Sequence, residues 1–192
     1  TYLEEMEKDL SQSPHVQEAI GGNQVTDLVI GDTIRLSVRS YLPIQNERMQ
    51  LIGTVSVGYR LDKPNTLEQI KRMSGNDFSI YVGEECINST IMEGENRIVG
   101  SALPDDPKSN LAVQNVFIGQ TSLNSEKYYA LYKPLLTSEG EMVGSIFAGT
   151  PISAAIQTSF IVTLIAIGIV FFITLSSLLI FLLFTKKRIA EP

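Results

Sequence analysis

The sequence predicts an α+β fold: antiparallel sheets with flanking helices, followed by one long apolar helix. Three observations predict it. A hairpin-like segment occurs twice, 91 residues apart. Short runs rich in β-branched and apolar residues, bounded by Gly, Asn and Glu turns, lie between the two copies. Residues 142–185 carry no charge at all.

Residues 2–10 read as a helix. Ser13-Pro14-His15 reads as a turn leading into another, with His15 at the surface. Arg35, Ser37, Arg39 and Tyr41 alternate, which places them on one face of a strand. The first copy follows: Tyr41-Leu42-Pro43-Ile44, seven residues, then Ile52-Gly53-Thr54-Val55-Ser56-Val57-Gly58. The second is Tyr132-Lys133-Pro134-Leu135, seven residues, then Val143-Gly144-Ser145-Ile146-Phe147-Ala148-Gly149. Tyr41/Tyr132, Pro43/Pro134, Gly53/Gly144 and Gly58/Gly149 coincide without a gap, so one supersecondary unit is present twice. Each copy is predicted to be a hairpin. The Gly inside each returning strand marks a bulge or a close backbone approach.

Between the copies, Thr66–Met73 fits an amphipathic helix with Leu67, Ile70 and Met73 on one face. Asn65 and Glu68 suit a capping box, and Gly75 suits the stop. Phe78–Val82 and Cys86–Ile91 are strands joined by a turn, and Arg97–Gly100 is a short edge segment. A loop over 103–108 and a helix over 110–116 follow. Subtracting 91 from residues 67–90 gives positions before residue 1, so the first copy lacks that upstream half. The expectation is that the chain begins inside its first module and that a preceding segment with another membrane helix is missing.

Thr150 before Pro151 predicts a helix start. A continuous helix from Ile152 to about Lys187, roughly 54 Å long, is expected. Within it, Phe160–Phe184 would span roughly 37 Å, more than the ~30 Å of bilayer hydrocarbon. Lys186, Lys187 and Arg188 follow directly, and no basic residue lies near the other flank. The positive-inside tendency then puts the C-terminus in the cytoplasm and residues 1 to about 158 outside, in a cell membrane with a single C-terminal span. Setting aside these three and Glu191 leaves 12 basic and 20 acidic residues, a net −8 that argues against nucleic acid as a partner.

One cysteine, Cys86, allows no internal disulfide and reads as core. One histidine cannot build a zinc site, and no Gly-x-Ser-x-Gly elbow is present. No metal, cofactor or catalytic residue is therefore expected, and the chain is not read as an enzyme. An enzymatic output beyond Pro192 stays open. Asn88-Ser89-Thr90 has glycosylation-acceptor spacing, which recurs by chance.

Arg39-Ser-Tyr-Leu-Pro-Ile, Ile52-Gly-Thr-Val-Ser-Val-Gly58, Asp77-Phe-Ser-Ile-Tyr-Val-Gly, Ile87-Asn-Ser-Thr-Ile and Arg97-Ile-Val-Gly100 together resemble a double Cache sensor domain. The Tyr132–Gly149 copy looks like the end of its membrane-proximal module. The resemblance covers residues 14–150 and implies PAS-like sheets and an extracytoplasmic small-molecule pocket. Lys187-Arg188-Ile189-Ala190-Glu191-Pro192 resembles the entry of a HAMP linker. The resulting division is 1–62 for a truncated distal module, 63–150 for the proximal module, 151–185 for linker and membrane helix, and 186–192 for the HAMP-like start.

By the same resemblance, Arg39 stands where sensors of citrate and four-carbon dicarboxylates grip a carboxylate, with Tyr41 nearby. An organic acid is thus a candidate ligand, since a guanidinium fork matches a carboxylate with two parallel bonds. The alternative is a solvated face. In the second copy Ala130 replaces Arg39, and Tyr81, Ser89, Arg97, Tyr128 and Tyr132 are the candidate pocket residues, the tyrosines being equally at home in a core. The resemblance implies a homodimer, with a cytoplasmic signalling domain or kinase complex as downstream partner. The expected function is ligand sensing and transmembrane signalling by a methyl-accepting chemotaxis protein. The sensor region of a histidine kinase or diguanylate cyclase is an alternative, and a membrane-anchored structural or adhesion ectodomain is one of another class.

Overall fold

Alternating apolar strands and one uncharged helix set the architecture of the chain in the computed structural model. It describes residues 10–189 and, in the last helix, the side chains of 152–153, 161–178, 181 and 182. The predicted helix over 2–10 and the end of the HAMP-like stretch, 190–192, lie outside the described residues. The chain divides into a unit ending at Thr150 and one starting at Pro151.

The first unit opens with α1 (Pro14–Ile20), then β1 (Val25–Val29), β2 (Ser37–Gln45) and β3 (Leu51–Arg60), a three-stranded sheet of order β1-β2-β3. Next come α2 (Pro64–Ser74), β4 (Asp77–Val82), β5 (Glu85–Ser89) and the small ribbon β6 (Met92–Glu93) and β7 (Asn96–Arg97). The helix α3 (Asp105–Gln114) precedes β8 (Phe117–Leu123), β9 (Glu126–Leu136) and β10 (Met142–Pro151). The second sheet has the order β5-β4-β10-β9-β8.

The repeat is wider in space than in sequence identity. β3 and β10 begin and end 91 residues apart, β2 and β9 end 91 apart, and α1 and α3 begin 91 apart. Each copy of the repeat therefore comprises a helix and three strands. The second adds α2, β4 and β5, so β10 is flanked by β4 while β3 lies at the edge of its sheet. Gly144 explains one of the shared glycines. It stands opposite Val82, and a Cβ there would sit 1.9 Å from the Tyr81 carbonyl oxygen. Gly53 adjoins a register shift between Ile44 and Gln45.

Several expectations change. α2 starts at Pro64 after Lys63, without a side-chain cap, because Pro loses nothing at a position whose N–H has no helical partner. Its stop at left-handed Gly75 (φ 75°) is as predicted. Only Leu67 of its apolar face is buried, whereas Met73 is 89% exposed. The loop expected over 103–108 is partly helix, since α3 begins at Asp105, where two acidic residues suit a first turn. Strand β10 runs on through Pro151, so Thr150 is not a cap. Its hydroxyl donates instead to Asn76 Oδ1 at 2.6 Å.

Two apolar clusters order the sheets. One face of the second sheet packs Tyr81, Cys86, Tyr128, Tyr132 and Phe147 against Leu111 of α3 and the 91–103 segment. The other face gives Phe78, Ile80, Val82 and Ile146 to a cluster with Leu28 and Leu36, which packs residues of the first sheet and its following loop against the second sheet.

The second unit is α4 (Ile152–Ile189), 38 residues without a break. Over Ile161–Leu178 its mean hydropathy is 2.6 and none of the window is buried. Among the described residues it is the helix long and apolar enough to cross a membrane.

Candidate functional site

Strand alternation fixes which side chains meet. On β4 the odd positions Ser79 and Tyr81 face α3, as do Ser145 and Phe147 of β10, with which they pair. On β9, Tyr128, Ala130 and Tyr132 occupy the same face. The Tyr132 ring lies 6.2 Å from Tyr81 and 5.0 Å from Phe147, and Tyr128 lies 5.7 Å from Phe147. Three of the predicted site residues, Tyr81, Tyr128 and Tyr132, thus converge in one buried cluster.

Their polar atoms set this cluster apart from an ordinary core. The Tyr81 and Tyr132 hydroxyls and Ser145 Oγ are buried without a partner in hydrogen-bonding geometry among the described residues. The two phenols lie near enough to interact with each other, Tyr81 also with Ser79 and Tyr132 also with Thr121. Burial pushes both phenols above their ordinary pKa, and neighbouring Tyr132 and Cys86 add to the rise at Tyr81. Burial likewise raises the Cys86 thiol to about 11. These groups are neutral donors and acceptors at physiological pH. A buried hydroxyl left unpaired costs about 1–3 kcal/mol, so such groups call for water or a ligand.

Ser89 reaches this face through Ser79, whose Oγ lies 2.8 Å from its own, and it also accepts from Ile91 N. Arg97 sits at the rim, in a cleft of about 460 Å³ with Glu93, Ser101, Ser122 and Asn124. Its guanidinium is held by the Ser89 carbonyl and by Glu68 at 2.7 Å. Asn88 is 1% exposed and donates to the carbonyls of Leu61 and Lys63, so its amide offers no accessible glycosylation site.

Arg39 and Tyr41 lie elsewhere, on the first sheet. Arg39 pairs with Gly58 across the ladder, and a Cβ at Gly58 would come within 3.0 Å of Arg39 Cγ. The glycine makes room for the arginine. Arg39 Nε donates to Ser37 Oγ at 3.1 Å, and among the described residues its Nη atoms meet no acceptor. It lines a cleft of about 570 Å³ with Ser37, Ser56, Lys63, Asn65 and Thr66. Arg39 and Tyr41 therefore stand on a different sheet from the tyrosine cluster.

Tyr41 is buried beneath His15, whose ring stacks on it at 5.3 Å and 12°. His15 was expected at the surface; it is half-buried because Asp27 accepts from its Nε2 at 2.8 Å. Asp27 and Ser138, which the sequence did not single out, meet here across 111 residues. No local pattern could have signalled that pairing.

Residues 60–159 match the family model described as single cache domain 3. Among solved structures, the fold is similar to the ligand-binding domain of the Pseudomonas aeruginosa PAO1 amino acid chemoreceptor PctC in complex with GABA. That likeness has a TM-score of 0.37 and 11% identity, and it covers 74% of this chain and 62% of that one. The chain thus spans less than two thirds of the length of that domain. No curated protein matches.

Proposed function

Because the chain belongs to the single cache domain 3 family, we propose that it is the ligand-sensing region of a membrane receptor, with α4 as its transmembrane helix. The observation that carries this reading is the set of unpaired buried hydroxyls at Tyr81, Tyr132 and Ser145, on the sheet face that α3 covers within the family-matched residues. The uncharged run of α4 and the Lys186-Lys187-Arg188 cluster after it support an extracytoplasmic sensor with a cytoplasmic C-terminus. Strand β10 ends at Pro151 and α4 opens at Ile152, so no residue separates them in the chain.

A thermal-shift screen of the whole chain in detergent, run against neutral polar compounds and organic acids, tests the reading. At least one compound is expected to raise the midpoint, and Tyr132→Phe should abolish that shift. Absence of stabilisation by every compound would favour the adhesion-anchor alternative.

A second reading rests on Arg39. Its Nη atoms, without an acceptor among the described residues, and the neighbouring Lys63 support a carboxylate in the first module, as in the organic-acid sensors that the sequence resembles. Succinate and citrate are the probes, and Arg39→Ala should remove their shift while leaving any neutral ligand of the second module unaffected.

The shared period of 91 supports a double-module organisation in which residues 1–62 are part of a distal module and 63–150 form the proximal one. The basic tail supports a HAMP-like entry. Among outputs we favour a methyl-accepting chemoreceptor acting as a homodimer with a kinase complex. In the cell, ligand-dependent methylation distinguishes it from a histidine kinase, read by autophosphorylation, and from a diguanylate cyclase, read by cyclic dinucleotide synthesis.

A further inference from the structure

We propose that Asp27 is a positioning residue through which the first module grips the β9–β10 hairpin of the second, so that a change at α1 and Tyr41 is carried to β10. Asp27 lies in the middle of β1, an edge strand, and its side chain is 4% exposed. Its Oδ1 accepts from Leu28 N and Ser138 N, each at 2.7 Å. Its Oδ2 accepts from Ser138 Oγ and His15 Nε2, each at 2.8 Å. One carboxylate thereby ties together α1, β1 and the turn between β9 and β10. A carboxylate only accepts, so His15 Nε2 carries a hydrogen in this arrangement.

Both ends of the tie are stiff. His15 stacks on Tyr41, which stands two residues from Arg39 on the same strand face. Ser138 belongs to a turn closed by Thr137 N to Glu141 O and Gly140 N to Thr137 O, each at 2.9 Å, with left-handed Gly140 (φ 84°). Displacing Ser138 therefore displaces the turn as a body, and β10 with it.

The internal repeat indicates that the fold itself does not require this constellation. Arg39 corresponds, 91 residues on, to Ala130, and Asp27, its partner across the ladder, to Gly119, the partner of Ala130. His15 corresponds to Asp106. The second module keeps the same helix and strands without any of the three. A buried carboxylate is unfavourable unless it is fully hydrogen-bonded, and here two of its four donors come from the other module. Besides this tie, Asn88 donates to the Leu61 carbonyl at 2.8 Å, close to the junction of the two modules and far from the β9–β10 turn. The Leu28 and Leu36 cluster is non-directional, and Arg35 with Glu85 is a solvent-exposed pair, 43% and 51% accessible.

Hydrogen–deuterium exchange of the whole chain in detergent micelles tests the proposal through peptides covering α1 and residues 134–142. Ser138 is exposed, so Ser138→Ala leaves folding intact. It should raise exchange several-fold in its own turn and also in α1, more than a hundred residues away in sequence. Asp27→Asn should loosen the same two segments, Ser138→Thr should restore protection in both, and Arg35→Ala should change neither. If Ser138→Ala frees only its turn, or Asp27→Asn only α1, the two modules are not coupled through this carboxylate and the proposal fails.

Discussion

Gly144 and Asp27 illustrate how much rests on single atoms. A methyl at Gly144 would fall 1.9 Å from a backbone oxygen of β4, and no rotamer change can relieve that. Gly144→Ala is expected to destabilise the first unit by more than about 3 kcal/mol, read by urea unfolding, because β10 must part from β4. Gly53→Ala, with nothing within 4 Å of the new Cβ, should cost far less. At Asp27, burial alone would raise the carboxyl, but the hydrogen bonds from His15, Ser138 and Leu28 outweigh it and hold the pKa at about 2, below the ordinary 3.8. The folded-state value is depressed, so the stabilisation is fully present above about pH 4 and is lost as pH falls towards 2. It amounts to about 2 kcal/mol. Unfolding free energy measured from pH 5 to 2 should fall more steeply for the native chain than for Asp27→Asn. Equal slopes would place the carboxylate outside the network.

At the scale of elements, α3 is a strip of contrast between buried and exposed side chains. Leu111 is 1% exposed and packs on the tyrosine face, whereas Val113, two positions on, is 81% exposed. Leu111→Ala is expected to cost about 2–5 kcal/mol by cavity formation, and Val113→Ala no more than about 0.5 kcal/mol. Comparable losses at the two positions would mean that α3 packs through another face. The strands were unevenly legible. The two hairpins were visible because Tyr, Pro and Gly recur in register, and β4 because Phe78-Ser79-Ile80-Tyr81-Val82 is continuous and β-favouring. β1 and β8 were missed for identifiable reasons. β1 has a buried Asp at its centre, and β8 points Ile118 to solvent and Thr121 inward, which inverts the usual alternation.

For the molecule as a whole, the strongest demand comes from α4. Phe172 is 73% exposed near the middle of the uncharged window, none of which is buried. So much unpartnered apolar surface suits hydrocarbon better than water. Phe172→Arg should oppose insertion by about 2.5–3.5 kcal/mol in a translocon-insertion assay. Unchanged partitioning would show that the helix does not sit in lipid. The joined sheets form the other large-scale feature. Leu28 and Leu36 share a cluster with Ile80 and Ile146 of the second sheet, so the two sheets have a common core in addition to the hydrogen bonds between Asp27 and Ser138.

The sequence by itself determined the duplicated hairpin, the α+β class and the long uncharged helix, because each is written in local spacing: a 91-residue period, two-residue alternation, and an unbroken apolar run. Only the tertiary structure decided that the candidate tyrosines share one face with unpaired hydroxyls, that Arg39 belongs to a separate cleft, and that His15 and Asp27 hold Ser138. Those arrangements depend on strand order and on hydrogen bonds between residues up to 111 positions apart, and such contacts leave no periodic trace along the chain.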